Sequence, residues 1–366
     1  MDNAGEEDAA RSRIMAFAKH TSSPMKPFVP TASEQSTAGT STPPGGVLNA
    51  ANRNRIMEHA QQVNAQKNNA LLAELHAGRV ARQAAQNASA QPDASATTVR
   101  NLPTPPISVL TYNVWFEEEV ALEERMAAIG DVIVETGFPT VICLQEVTDS
   151  IFALLSSAPW MKQYEACPAG GQAYYTALLY RRDAVTGAQP ACLHRFPGSC
   201  MGRGRQEVTL SFGDKSCRFV TSHLESPCGW NQPMAEQRLI QCKTTLAALD
   251  AAGEGNVIFA GDLNWLPADG PLPLTDGWVD AWSELHSEEA GYTYDGKQNP
   301  MLTTKHRTRL DRVLAKLADW KPGSIEIVGT EAIPGVTRTV KIRGMPKELP
   351  VLPSDHFGLF FTMQPC

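Results

Sequence analysis

Five stretches of the chain set a chemically capable residue at the end of an apolar run. Ile107 to Thr111 leads into Tyr112-Asn113, and Val141-Ile142-Cys143-Leu144 into Gln145-Glu146. Phe219-Val220-Thr221 leads into Ser222-His223-Leu224-Glu225-Ser226, and Val257-Ile258-Phe259-Ala260 into Gly261-Asp262-Leu263-Asn264. Ser354-Asp355-His356 enters the last apolar run. One strand ending in Asn or Asp marks a turn. Five ends carrying Asn, Glu, His, Asp with Asn, and Asp with His describe a single hard-cation centre with hydrolytic groups around it. Carboxylates with an amide and no clustered cysteine suit Mg²⁺ or Mn²⁺. Zinc would want more nitrogen or sulfur, and His223 and His356 form no H-E-x-x-H pair. A carboxylate beside an amide can aim water and take its proton, while a metal and an imidazolium suit the charge that builds on phosphate oxygens. The reaction class read from these residues is metal-assisted phosphoryl hydrolysis.

Strands must hold these residues. Short apolar runs at 107–111, 140–144, 176–180, 207–212, 218–221, 257–260, 312–314, 325–328 and 358–362 predict nine strands. Leu122 to Glu135 predicts a helix, as does Pro233 to Ala251, with Leu239, Cys242, Leu246 and Leu249 on one face. So many strands against two long helices argue for two stacked sheets with helices outside, rather than a doubly wound parallel sheet. The first part of the 366-residue chain is different in texture: residues 1–104 are low in complexity and read as a largely disordered extension with a helix near 49–88, a candidate docking segment for another protein. Residues 105–366 read as the catalytic domain.

Charge and cysteine set limits on partners and compartment. The chain is net -7, and residues 1–104 hold ten of its 32 basic and eight of its 39 acidic residues, so the rest is net −9. That excludes a protein that coats nucleic acid by bulk charge. The eight cysteines form no C-x-x-C pair and several sit in apolar runs, which reads as buried reduced thiols. No run of eighteen apolar residues and no apolar leader occurs, so a soluble intracellular protein with no membrane partner is expected.

Asn113, Leu144-Gln145-Glu146, Gly261-Asp262-Leu263-Asn264, Arg309-Leu310-Asp311-Arg312 and Ser354-Asp355-His356 resemble the motifs of the endonuclease/exonuclease/phosphatase superfamily, divalent-metal phosphohydrolases related to DNase I. The resemblance covers about residues 107–364. Thr221 to Ser226, Phe259 to Asp262 and Ser354 to Leu359 are most similar to the 5′-tyrosyl-DNA phosphodiesterase branch. Trp278 to Trp282 and Tyr292 to Asp295 are most similar to its plant and algal forms. The resemblance implies an α/β fold, a four-layered α-β-β-α sandwich of the DNase I type with the site where the sheets open. It implies that Glu146 ligates Mg²⁺ (or Mn²⁺) directly, with Asp355 supporting the metal through water. Asp262 and Asn264 would orient and deprotonate water, His356 and Asn113 would steady phosphate oxygens, and Asp311 would hold the His356 ring. His223 and Ser226 would contact the phosphate, and Tyr294 would offer a flat face to a base or tyrosyl group. One departure stands out: Leu266 occupies a position where animal forms carry arginine.

An acidic domain must grip DNA through local positive charge. Three loops supply it: Arg195 to Arg205, Lys305 to Arg312 and Arg338 to Lys347. Arg309 and Arg343 are the expected substrate contacts within them, and the latter two loops run into Asp311 and Asp355. The implied substrate is a DNA 5′ end carrying a tyrosyl adduct, the remnant of trapped topoisomerase II, with a 5′-phosphate left for repair. That substrate implies the nucleus, and the cytoplasm as well. Competing readings keep the chemistry and change the substrate (abasic endonuclease, poly(A) nuclease, phosphoinositide phosphatase, sphingomyelinase) or drop catalysis for a DNA-end scaffold.

Overall fold

All nine apolar runs form strands, and both expected helices form, in the computed structural model, which describes residues 106–366 other than 229–231, 303 and 343. The expected extension over 1–104 and its helix near 49–88 lie outside the described residues. In chain order, β1 (Ile107–Asn113), α1 (Leu122–Glu135), β2 (Val141–Val147) and α2 (Asp149–Ser157) come first. A 3₁₀ turn then leads to β3 (Tyr164–Pro168), β4 (Tyr175–Arg181), β5 (Gly187–Ala188), β6 (Cys192–Arg195), β7 (Gly204–Phe212) and β8 (Lys215–His223). After α3 (Ala235–Ala251) follow β9 (Val257–Asp262), β10 (Val279–Asp280) and α4 (Ala281–Leu285). The chain finishes with β11 (Tyr294–Asp295), β12 (Arg307–Thr308), β13 (Asp311–Lys316), β14 (Trp320–Val328), β15 (Thr337–Ile342), β16 (Met345–Pro350) and β17 (Gly358–Pro365).

The main strands form two sheets. One has the order β14-β17-β1-β2-β4-β3, the other β10-β13-β9-β8-β7-β5, with β6 also on β7. Each sheet contains a parallel pair, β1 with β2 and β8 with β9, and a parallel pair needs a crossover, here α1 and α3. Alternation along the strands then builds four layers. Val109, Cys143, Leu178, Phe219, Ile258, Val313 and Phe361 meet between the sheets. Leu110, Tyr112, Ile142 and Leu144 point the other way onto Met126, Ile129 and Ile133 of α1. Val220, Phe259 and Leu314 pack on Cys242, Leu246 and Leu249 of α3. Each large apolar side chain buried this way contributes about 1.5–3 kcal/mol. The result is the expected α-β-β-α sandwich.

Some elements had no visible signal. Helix α2 is short, and its start rests on Thr148, whose hydroxyl accepts from the Ile151 amide at 3.1 Å. β3 and the hairpin β15–β16 also lay in segments without strand alternation. All eight cysteines are free: Cys143, Cys167, Cys217 and Cys242 are buried, while Cys192, Cys200 and Cys366 are exposed, so only half follow the buried-thiol expectation. No helix among the described residues is long and apolar enough to cross a membrane.

Candidate active site

Strand parity aims the motif residues. In β1, β8, β9 and β13 the residues Val109, Phe219, Ile258 and Val313 face the space between the sheets. Counting in twos from these reaches Asn113, His223, Asp262 and Asp311, the terminal inward position of each strand. In β9 and β13 the last two are register partners. The glycine of the Gly261-Asp262 step is required by sheet packing, because a Cβ there would sit 2.1 Å from the Ser222 carbonyl oxygen. Glu146 breaks the parity of β2: the β2–β4 register shifts between Leu144 and Val147, and Glu146 takes φ 61°. This bulge returns Val147 to the helix side and leaves the Glu146 carboxylate beside the loop after β1, where it accepts from the Phe116 amide at 3.1 Å. Trp115 and Asn264 also adopt positive φ, so three non-glycine left-handed residues surround the site.

The side chains form one connected set. Asn113 Nδ2 donates to Asp262 Oδ2 at 3.0 Å, and the Asn264 amide donates to Asp262 Oδ1 at 2.9 Å. His223 Nε2 lies 3.3 Å from Asp262 Oδ2 and 3.9 Å from Glu146 Oε1. Arg203 Nη1 donates to His223 Nδ1 at 2.8 Å, which assigns the ring hydrogen to Nε2. Ser226 Oγ accepts from Asn264 Nδ2 and from Arg203 Nη2, both at 3.2 Å. His356 Nδ1 is 2.8 Å from Asp311 Oδ2, and its Nε2 is 3.9 Å from Asp262 Oδ2. The Tyr294 ring stands edge-on to His356 at 5.2 Å. Ser354 Oγ donates to the Asn113 carbonyl at 2.6 Å and brings Asp355-His356 to the end of β1.

Burial and neighbouring charge split the titratable groups. Burial and then Asp355 push Glu146 up to about 7, and burial also raises Asp355. Burial and Arg203 hold His223 well below its ordinary value, so it is neutral. Burial would lower His356 too, but Asp311, Asp262 and Asp355 outweigh it and raise it well above the usual value. His356 is therefore an imidazolium tied to Asp311.

Buried carboxylates raised by burial and by neighbouring acids, Glu146 by Asp355 and Asp355 by Asp262, are the kind of group that a divalent cation would stabilise. Glu146 and Asp355 supply only oxygen, which fits a hard divalent ion. Among the described residues, the group of three with ligand atoms mutually within 4.8 Å is Asp262, Asp311 and His356. Within that group His356 is raised and hydrogen-bonded to Asp311, whereas Glu146 and Asp355 offer oxygen donors beside it.

Several residues that the sequence did not single out build this site. Arg125 of α1 is fully buried and donates to the carbonyls of Val114, Trp115, Glu117, Val120 and Pro353. It thereby locks the loop after β1 to the loop before β17. Glu225 is buried as well; it accepts from Ser199 Oγ, the Met201 amide and Gln241 Nε2, which fastens the loop that delivers Arg203. Tyr174 stacks on Phe116 at 4.8 Å with the Arg203 guanidinium over its ring at 5.0 Å. Arg203 had a signal as part of a basic loop, and Glu225 stood within the His223 to Ser226 stretch with no role assigned to it.

Arg309 is placed elsewhere. It donates to Asp280 at 3.0 Å and to Ser283, while Arg312 binds the same Asp280 at 2.9 Å, so both cations are spent on a structural acid. Arg307 is likewise held by Asp295, and Arg205 by Glu207. The basic loops thus contribute less free charge than their composition promised. Arg343 lies outside the described residues.

A buried acid, amide and imidazole set gathered from the strand ends of two sheets suits a phosphate-ester hydrolase. The Endonuclease/Exonuclease/phosphatase family profile matches residues 110–356, and the chain belongs to that family. Within it the chain is TDP2-like: D. rerio TDP2, solved with a single-strand DNA product, is 25% identical with a TM-score of 0.61, covering 71% of this chain and 99% of that one. TDP2 from C. elegans is 22% identical with the same TM-score of 0.61, covering 91% of this chain and 99% of its own. A mannosyl-6-phosphatase of Bacteroides thetaiotaomicron, 14% identical with a TM-score of 0.53, shares the fold over 70% of this chain and 99% of its own. No curated protein matches by sequence.

Proposed function

We propose that the chain is a Mg²⁺-dependent 5′-tyrosyl-DNA phosphodiesterase that hydrolyses the phosphotyrosyl bond left by trapped topoisomerase II and leaves a 5′-phosphate. The observation that carries this reading is the single set formed by Glu146, Asp355, Asp262, His223, His356 and Asn113 in a chain with TDP2-like architecture. Glu146 and Asp355 hold the metal, which when bound supplies positive charge to the phosphate oxygens. Asp262, oriented by Asn113 and Asn264, accepts the proton of the attacking water. The imidazolium of His356, kept charged by Asp311, donates to a non-bridging oxygen, as do the Nε2–H of His223 and the free Nδ2 hydrogen of Asn113. Ser226 offers its hydroxyl to the same phosphate.

The new P–O bond comes from water and the broken one is to the tyrosyl oxygen. A phenol with an ordinary pKa of about 10 leaves readily as phenolate, so no strong general acid is needed on that side. The Tyr174–Phe116 stack and Tyr294 flank the phosphate-binding groups and suit a tyrosyl ring and a base. DNA end repair in the nucleus follows from this substrate.

The test offers a 5′-tyrosyl oligonucleotide, an abasic duplex and poly(A), each with Mg²⁺ and with EDTA. Turnover of the tyrosyl substrate alone, abolished by EDTA, is the expected result. Preference for the abasic duplex or poly(A) would move the protein to another substrate of the family, and binding without any turnover would make it a scaffold.

A further inference from the structure

β15 and β16 pair with each other and form a hairpin in the segment that leads to Asp355. Antiparallel pairing sorts their side chains into two faces. Arg338, Val340 and Ile342 share one face with Met345, Lys347 and Leu349; Thr337, Thr339 and Lys341 share the other with Pro346, Glu348 and Pro350. The second face is closed on itself, since Glu348 accepts from Thr337 Oγ1 at 2.8 Å and also from Thr339 Oγ1.

The first face is seated at its base and open at its tip. Arg338 donates to the Met301 carbonyl and lies 5.7 Å from the ring centre of Trp115, two residues beyond Asn113. Asp355 and Glu117 are the acids whose charge reaches Arg338. Val340 and Leu349 are half-buried, whereas Ile342 is 39% and Met345 71% exposed. A strip that starts at the wall of the cleft therefore runs outward, cationic at Arg338 and Lys347 and apolar at Ile342 and Met345.

We propose that this face holds the single DNA strand that leaves the cleft on the 3′ side of the 5′ phosphate. The proposal rests on the nucleic-acid substrate argued above and adds where that strand lies. Charge complementarity selects the occupant: Arg338 and Lys347, with no acid among the strand residues of that face, make a positive strip on a domain of net −9, and a polyanion is drawn to it. Ile and Met are side chains that lie against or between bases. A peptide adding as a third strand is disfavoured on β16, because Pro346 and Pro350 lack the N–H groups it would need.

Anisotropy of 5′-phosphate single strands of about three and about twelve nucleotides, measured in EDTA, tests the idea without turnover. Ile342→Ser with Met345→Ser is expected to weaken the long strand about tenfold and leave the short one unchanged. Lys347→Ala is expected to weaken the long strand and make its salt slope shallower by about 0.7, with Lys341→Ala on the far face much milder. Unchanged affinity in both near-face variants, an equal loss from Lys341→Ala, or an equal loss with the short strand would overturn it. If tyrosyl turnover is absent but the length-dependent loss remains, the substrate reading falls and the strand-binding face stands.

Discussion

Two clusters of buried charge lie on opposite sides of β13, and one step along the strand separates them. Asp311 faces the cleft and holds His356, while Arg312 faces away and, with Arg309, closes on Asp280. In the outer cluster a carboxylate has two guanidinium partners, and burial lowers Arg309 only to about 10, so it stays charged. In the cleft Glu146 is pushed up to about 7 by burial and a second carboxylate. Charge that is balanced within the protein serves packing; charge left unbalanced is held ready for something that is not protein. The difference between the clusters therefore separates structural from working acids without reference to motif.

The sharpest way to break that distinction is to neutralise one acid from each side. Glu146→Gln or Asp262→Asn is expected to cut turnover of the tyrosyl oligonucleotide by on the order of 10³. Thermal melting of Glu146→Gln in EDTA at alkaline pH should not fall, because an unfavourable charge is removed. Asp280→Ala is expected to do the reverse, losing about 3–5 kcal/mol in urea denaturation by stranding two arginines, with turnover per folded molecule unchanged. Comparable activity losses in both sets would erase the contrast.

Asp311→Asn probes the boundary. His356 is raised in the folded protein, so its stabilising charge is fully present below the ordinary histidine pKa and is lost as pH rises through the raised value. Removing Asp311 should bring the alkaline limb of the kcat profile to lower pH and slow turnover at pH 8 by about 10²; an unmoved limb would detach His356 from the chemistry.

The smallest effect is on metal-free stability. The unfolded chain releases the Glu146 proton near 4.5, the folded one near 7, so stability should fall as pH rises through that window. Mg²⁺ should restore it more at pH 8 than at pH 5, by a few degrees at roughly 2–4 °C per kcal/mol. Equal shifts at both pH values in scanning fluorimetry would mean that the ion does not meet Glu146.

How much of this was legible follows from what each signal reports. Apolar runs report burial, so strands with long runs were visible, whereas α2 and β3 were too short or too mixed. Asn113, Asp262 and Asp311 were readable because parity carries a strand-end residue to a face that the apolar residues behind it define. Parity fails at Glu146, where a bulge re-aims the side chain, and only the motif found it. Arg125 was invisible because its partners are backbone carbonyls, which leave no mark in the sequence. Arg309 looked like a substrate contact because a basic loop does not reveal that an acid 29 residues earlier is waiting for it.

The last strand has a consequence for how the protein comes into being. β17 does not join at an edge: it inserts between β14 and β1, pairing Leu359 with Thr111 and with Ile327. The slot next to β1 thus stays open through synthesis of more than two hundred intervening residues, and Asp355 and His356 arrive with the strand that fills it. Contacts this distant in sequence form late. A nascent chain therefore carries Asn113, Glu146, His223 and Asp262 well before Asp355 and His356 can join them, and if the proposed site is right, hydrolytic competence should appear in one step, together with protection of β1 amides from exchange.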